Sequence, residues 1–254
     1  MNGYSIQQAI NDSVMPKEGD KHPKNSWYPT DMGKCLRGVY LARKGVEAYR
    51  EVDVRMQRVF QCGHMFEAFV IAKVKEHADK NNYTIESQKR ILIPELDVTG
   101  YLDLKVTTPK ESIIYDVKTK NSNAFWYMNK YNKGPDRHYL EQVWTYLKAE
   151  NVQRGAVFYV SKDDLTLLEY PVRLDDETLA TSVMGQLKLL NDCWKNDVLP
   201  PMAENIVIGD DGKPTLNWQA RYCNWHATCT GDIDWEKKAK AEVLRMKGKT
   251  VIKL

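Results

Sequence analysis

The sequence predicts a mixed α/β fold, and three observations carry that prediction. Residues 99–106, TGYLDLKV, alternate polar and apolar side chains with the period of two that a half-buried strand requires. Residues 112–120, SIIYDVKTK, form a second β-rich run after the turn-prone TTPKE, so the two can close a hairpin. Helical patterns lie on either side, at 58–77 and 138–150, and a sheet entered from a helix and closed by strands is a mixed α/β core.

The chain has 254 residues, of which 43% are hydrophobic, enough to bury a sizeable core in one domain. The net charge is only +3, so bulk charge does not mark a nucleic-acid binder and an anionic partner must meet a local patch. The first residues, MNGYSIQQAINDS, lack a basic region followed by an apolar run, and no apolar run is long enough to cross a bilayer. A soluble, cytoplasmic protein with no membrane partner is expected. Five cysteines suit reduced thiols or a metal site better than a disulfide framework.

In chain order, residues 1–29 are a polar N-terminal arm containing Pro16 and Pro23, read as a short helix followed by a loop. From Thr30, TDMGKCLRGVYLARKG reads as a helix capped by Thr30 or Asp31, with Cys35 as a small buried thiol. In the helix of residues 58–77, Glu67 shares a face with Gly63, Val70, Ile71 and Val74. A carboxylate there needs a partner or a metal, unless its head reaches solvent. Neighbouring His64 reads as polar surface and Cys62 as a core thiol. TIESQKRILIPEL then supplies one or two strands leading into the hairpin.

On the hairpin, Asp103 is on the polar face, and Asp116 and Lys118, two residues apart on a strand, point the same way. Two carboxylates and an ammonium meeting across a hairpin suit metal-assisted phosphodiester hydrolysis: hard oxygen ligands for Mg²⁺, and a cation near the attacking water. Residues 119–137 then hold Lys120, Lys130, Lys133 and Arg137 against the single acid Asp136, with Phe125, Trp126, Tyr127 and Tyr131 interleaved. Cations beside aromatic faces suit a single nucleic-acid strand. The plainer reading is a solvated loop whose aromatics tuck into the core.

Helix 138–150 places Gln142 and Tyr146 one turn apart on one face. Residues 155–162 and 165–172 are strands, and 173–200 is a long amphipathic helix that opens near Asp175 or Asp176 and closes at Pro200 and Pro201, with Cys193 as a packing residue. An irregular segment follows. In ARYCNWHATCTGD, Cys223, His226 and Cys229 stand three apart, and soft ligands this close can hold Zn²⁺ or an iron–sulfur cluster. Residues 232–254 read as a charged helix with a solvated face.

Taken together, these motifs resemble the RecB-like branch of the PD-(D/E)XK nuclease superfamily, including its CRISPR-associated and phage exonucleases, over roughly residues 30–230. Gly63 and Glu67 match its helical G-x-x-x-E, Gly100 and Asp103 its G-x-x-D, Asp116 and Lys118 its D-x-K, and Gln142 and Tyr146 its Q-x-x-x-Y. Each motif alone is common by chance; the four in order are specific.

The resemblance implies a restriction-endonuclease-like core, a mixed central sheet flanked by helices, and a cysteine-containing C-terminal segment at 202–231. It implies Glu67, Asp103, Asp116 and the Val117 carbonyl as ligands of Mg²⁺ or Mn²⁺, Lys118 as the group that helps activate water, and Gln142 and Tyr146 as substrate-positioning residues. Relatives with an iron–sulfur cluster carry one cysteine before the core and three after it. Cys35, Cys223 and Cys229 match three of these, Ala220 stands at the remaining position, and His226 is available as a fourth ligand. A cluster, a zinc ion and thiols that only pack all remain open.

The expected activity is therefore a metal-dependent DNA nuclease, an exonuclease on single strands or duplex ends in phage or bacterial recombination, repair or replication. Further expected partners are a second copy of the chain or a recombination or replication protein. The rival is a non-catalytic nucleic-acid-binding or assembly subunit with the same fold.

Overall fold

The computed structural model describes residues 5–15, 24–48, 53–131, 133–209 and 211–248. The chain divides into two compact units. The first takes the described residues of Met1–His22, Tyr28–Met32 and Val52–Met184; the second takes those of Pro23–Trp27, Gly33–Glu51 and Gly185–Leu254.

The first unit is built on one five-stranded sheet in the order β1-β2-β3-β4-β5, with β1 Thr84–Ile93, β2 Val98–Thr107, β3 Ser112–Lys120, β4 Arg154–Ser161 and β5 Leu167–Arg173. Strands β1, β2 and β3 form an antiparallel meander, β3 and β4 run parallel, and β5 returns antiparallel to β4. A parallel neighbour requires a crossover, and α4 Ser122–Lys130 and α5 Arg137–Glu150 supply it. The sheet is mixed and helices flank it, as the sequence predicts.

Helix α1 (Ile6–Val14) precedes α3, Val54–Asn81, which exceeds the predicted 58–77 at both ends. Asp53 caps the start of α3 by accepting from Arg55 and Met56 N–H, and Asn82, left-handed at φ 56°, ends it. Val70 of α3 packs on Val117 and Val160, with Phe66, Val74 and Phe158 around them. On the other face of β3, Gln142 of α5 reaches Asp116. Alternation along β3 thus sends Val117 toward α3 and Asp116 toward α5.

The G-x-x-D glycine has a steric reason. A Cβ on Gly100 would lie 2.7 Å from Pro29 Cδ, so any larger residue pushes against the 3-10 turn Pro29–Asp31. That turn corrects the predicted helix from Thr30. Asp31 accepts from Tyr28 N–H at 2.9 Å, Gly33 breaks the chain at φ 74°, and the helix begins only at Leu36.

Helix α2 (Leu36–Arg43) belongs to the second unit, with Cys35 at its N-cap. In this unit the Arg43 guanidinium is sandwiched 4.2 Å from both the Trp27 and Trp194 rings, a desolvated cation–π stack. Residues through Met184 of α6, Glu177–Lys195, fall in the first unit and the rest in the second. The segment expected to be irregular contains a small hairpin, β6 Ile206–Ile208 with β7 Pro214–Leu216. Short helices α7 Trp218–Arg221 and α8 His226–Thr230 follow, then α9 Trp235–Met246. Trp235 and Ala239 of α9 pack on Ala220, so that helix has a buried face as well as a solvated one. Cys193 is buried as expected, whereas Cys62 is only half-buried on α3 and is no core thiol. The predicted arm around Pro16 and Pro23 and the chain beyond Gly248 lie outside the described residues.

Candidate active site

The β2–β3 ladder runs from Thr107↔Ser112 to Leu104↔Tyr115 and ends there. Just past its end, Val117 N–H donates to Asp103 Oδ2 at 2.8 Å instead of to a strand carbonyl. A backbone donor at a splayed sheet edge must find a partner, and this carboxylate is it. Asp103 therefore sits in the gap between the strands, where α3 approaches from one face and α5 from the other.

Asp116 is fully buried. Lys118 Nζ donates to its Oδ1 at 2.8 Å and lies 2.7 Å from Oδ2, and Gln142 Nε2 donates to Oδ1 at 2.9 Å. Oδ2 receives no well-directed hydrogen bond despite the nearby ammonium. Gln142 Nε2 also donates to the buried Tyr146 hydroxyl at 2.9 Å. On the α3 side, Glu67 accepts from Gln88 Nε2 and lies 3.6 Å from His64 Nδ1.

The electrostatics follow from burial and crowding. Burial pushes Asp116 up to about 7; Lys118 opposes this, while Asp103 and Glu67 add to it. Burial likewise raises Asp103, against the pull of Lys118 and the Val117 N–H. Glu67 is raised by burial and then by Asp103. Burial alone would lower Lys118, but Asp116 and Asp103 outweigh it and hold the ammonium charged. Tyr146 is raised by burial and then by Asp116, so it stays a neutral hydroxyl.

Three carboxylates facing one ammonium leave a local excess of negative charge. Among the described residues no three His, Cys, Asp or Glu side chains are placed to hold one ion among themselves. The donors present still fit Mg²⁺, which keeps several waters and takes one or two carboxylates. The buried Asp116 oxygen without a directed hydrogen bond is the observation that favours such a cation.

Three features of the site escape a reading of the sequence. Gln88 holds Glu67, Tyr139 lies under Lys118 at 5.1 Å from ring centroid to Nζ, and Glu141 is buried while accepting from Arg137 Nε and from the Ser182 hydroxyl. The first depends on a backbone conformation that Gln gives no hint of.

The stretch 119–137 is not a loop. Residues 122–130 form α4, capped by Asn121, with Phe125 and Met128 buried and Trp126 and Tyr127 exposed. Lys130 Nζ stands 4.3 Å over the Trp126 ring and 5.5 Å from that of Tyr131, and Lys133 lies 5.4 Å from Tyr127. The Tyr127 and Tyr131 rings are 4.6 Å apart. Lys120 and Arg137 are already engaged, by Asp136 and Glu141, each at 3.0 Å.

Cys35 and Cys223 are hydrogen-bonded, and this, with the Ala203, Gly38 and Arg37 backbone donors, holds Cys35 down at about 6 against its burial. The same bond raises Cys223. Burial raises Cys229, with Cys35 adding to the rise and the Arg37 guanidinium opposing it. His226 Nε2 lies 2.6 Å from Asn205 Oδ1, and its ring packs edge-on against Trp235 at 4.3 Å. Among the described residues Cys35, Cys223, His226 and Cys229 are not placed as a metal-holding group.

Comparison with protein-family models gives no match. Comparison with curated proteins gives none either. Among solved structures, SSO0001 shares the fold at TM-score 0.52 and 18% identity, over 91% of this chain and 98% of that one. An alkaline exonuclease from Laribacter hongkongensis, LHK-Exo, matches at TM-score 0.47 and 14% identity, over 74% and 87% of the two chains. A phage-related exonuclease from Haemophilus somnus 129PT matches at TM-score 0.47 and 12% identity, over 76% and 89%. The likeness to SSO0001 is one of fold.

Proposed function

We propose that the chain is a divalent-metal-dependent DNA nuclease of the RecB-like type, acting on single strands or duplex ends. The observation that carries this reading is the split between β2 and β3, where Asp103 and Asp116 flank Lys118 and where Gln142 and Tyr146 close the far side. When bound, Mg²⁺ or Mn²⁺ supplies Lewis-acid polarisation of the scissile phosphate and a more acidic water.

The remaining chemistry belongs to the chain. Asp103 and Asp116 are the oxygen donors, with Glu67 and the Val117 carbonyl beside them. Lys118 keeps its proton, so it donates hydrogen bonds to the attacking oxygen and to the charge growing on the phosphate. Gln142 holds Asp116 Oδ1 in place, and the neutral Tyr146 hydroxyl accepts the second N–H of the same amide nitrogen. On α4, Trp126 and Tyr131 offer faces for bases, and Lys130 and Lys133 meet phosphates. Lys120 and Arg137 contribute only by exchanging Asp136 and Glu141 for phosphate. Such an activity belongs in recombination, repair or replication.

The test is cleavage of labelled single-stranded and duplex DNA with Mg²⁺ or Mn²⁺. Cleavage is expected from wild type, with loss in Asp116→Ala and in EDTA, and a fall of about 10²- to 10³-fold in Lys118→Ala. Equal cleavage by wild type and Asp116→Ala overturns the assignment. A gel shift without metal-dependent products points instead to a binding subunit.

A further inference from the structure

Gln88 lies in the middle of β1, yet its φ is +49°, in the left-handed region that side chains other than glycine rarely adopt. Ser87 pairs with Leu104 and Lys89 with Leu102, so Gln88 stands opposite Asp103. At this point the regular ladder gives way on both sides of β2. Asp103 spends one oxygen on Val117 of β3, and the Gln88 amide donates to Glu67 Oε1 on α3.

Strained conformations persist only where their surroundings enforce them, and they gather at functional sites. The chemistry of the amide is apt. Glu67 and Asp103 repel each other, so Glu67 needs support to stay near Asp103. A lysine would neutralise the carboxylate and a second acid would repel it, whereas an amide donor orients it and leaves its charge intact. His64 stands 3.6 Å from the other oxygen, beyond hydrogen-bond reach, so Gln88 makes the closer contact.

We infer that Gln88 is the positioning residue for Glu67, its left-handed backbone aiming the amide so that the Glu67 carboxylate is held beside Asp103 for a divalent cation. This inference rests on the nuclease reading, because it presumes that Glu67 serves a cation there. It accounts for what a merely structural glutamine would not: a strained residue in mid-strand, in register with one acidic side chain and bonded to another.

Mn²⁺ binding to the intact protein, followed by electron paramagnetic resonance without DNA, tests it independently of turnover. Gln88→Gly relieves the backbone and removes the amide. Gln88→Asn tolerates the left-handed conformation but falls one methylene short, which guards against a folding artefact. Both are expected to weaken Mn²⁺ binding about 10-fold or more, as loss of an outer-shell partner does, with thermal midpoints at or above that of wild type for Gln88→Gly. In a Glu67→Gln background the same changes should have no further effect. If wild type binds Mn²⁺ and both variants bind within twofold of it, this inference fails and the nuclease reading stands. An effect undiminished in Glu67→Gln also overturns it. Wild type that binds no Mn²⁺ overturns the metal reading and this inference with it.

Discussion

Asp103 is both a structural acceptor, taking the Val117 N–H, and a charge that acts on Glu67 and Asp116. Asn keeps the acceptor and removes the charge, so Asp103→Asn separates the two roles. Because folding raises the Asp103 pKa, the fold favours its protonated form. Its contribution to stability is full below the unfolded value near 3.8 and is lost as pH rises through the folded one. At pH 8, without metal, Asp103→Asn should exceed wild type by about 0.5–2 kcal/mol, and the gain should shrink as pH approaches 4. Urea denaturation at the two pH values measures it. Nuclease activity should be lost in the same variant. Asp103, Asp116, Lys118, Gln142 and Tyr146 were all legible from spacing on strands and a helix. Gln88 was not, because a positive φ imposed on β1 leaves no trace in residue type.

Helix α5 is the element that ties the site to the sheet. One part of it reaches Asp116 through Gln142, and its last residue, Glu150, accepts from Lys89 of β1 at 2.7 Å and Lys105 of β2 at 2.8 Å. Burial would raise Glu150, but the two lysines outweigh it and lower its pKa. Its contribution is therefore present above about 4.5 and is lost as pH falls through the depressed value. Glu150→Ala should cost about 1–2 kcal/mol at pH 7, allowing for partial exposure of Lys89, and the difference should shrink as pH falls below 4.5 in the same denaturation assay. The strands and α5 were legible because each shows its period locally. Helix α4 was not, because its only apolar signal is the buried pair Phe125 and Met128, three residues apart amid Asn, Tyr and Trp.

For the whole molecule, a net charge of +3 cannot drive DNA binding by itself, so the proposed function requires local sets such as that on α4. Trp126→Ala should weaken single-stranded DNA binding by about 1–3 kcal/mol with little change in salt dependence. Lys130→Ala should flatten the logarithmic salt slope by about 0.7, the share of one phosphate contact. Fluorescence anisotropy over a salt series distinguishes them, and an unchanged affinity in both variants removes α4 from the DNA path. All six residues expected at the catalytic centre lie in the sheet unit, and the four expected cysteine-site residues lie in the other. By itself the sequence determined the mixed α/β class, the strands and the order of the acidic, basic and amide side chains, because periodicity and spacing are local properties. Only the tertiary structure decided that Asp103 would satisfy Val117, that Gln88 would hold Glu67, and that His226 would meet Asn205 and Trp235. Each of those depends on which distant backbone or ring fills the neighbouring space.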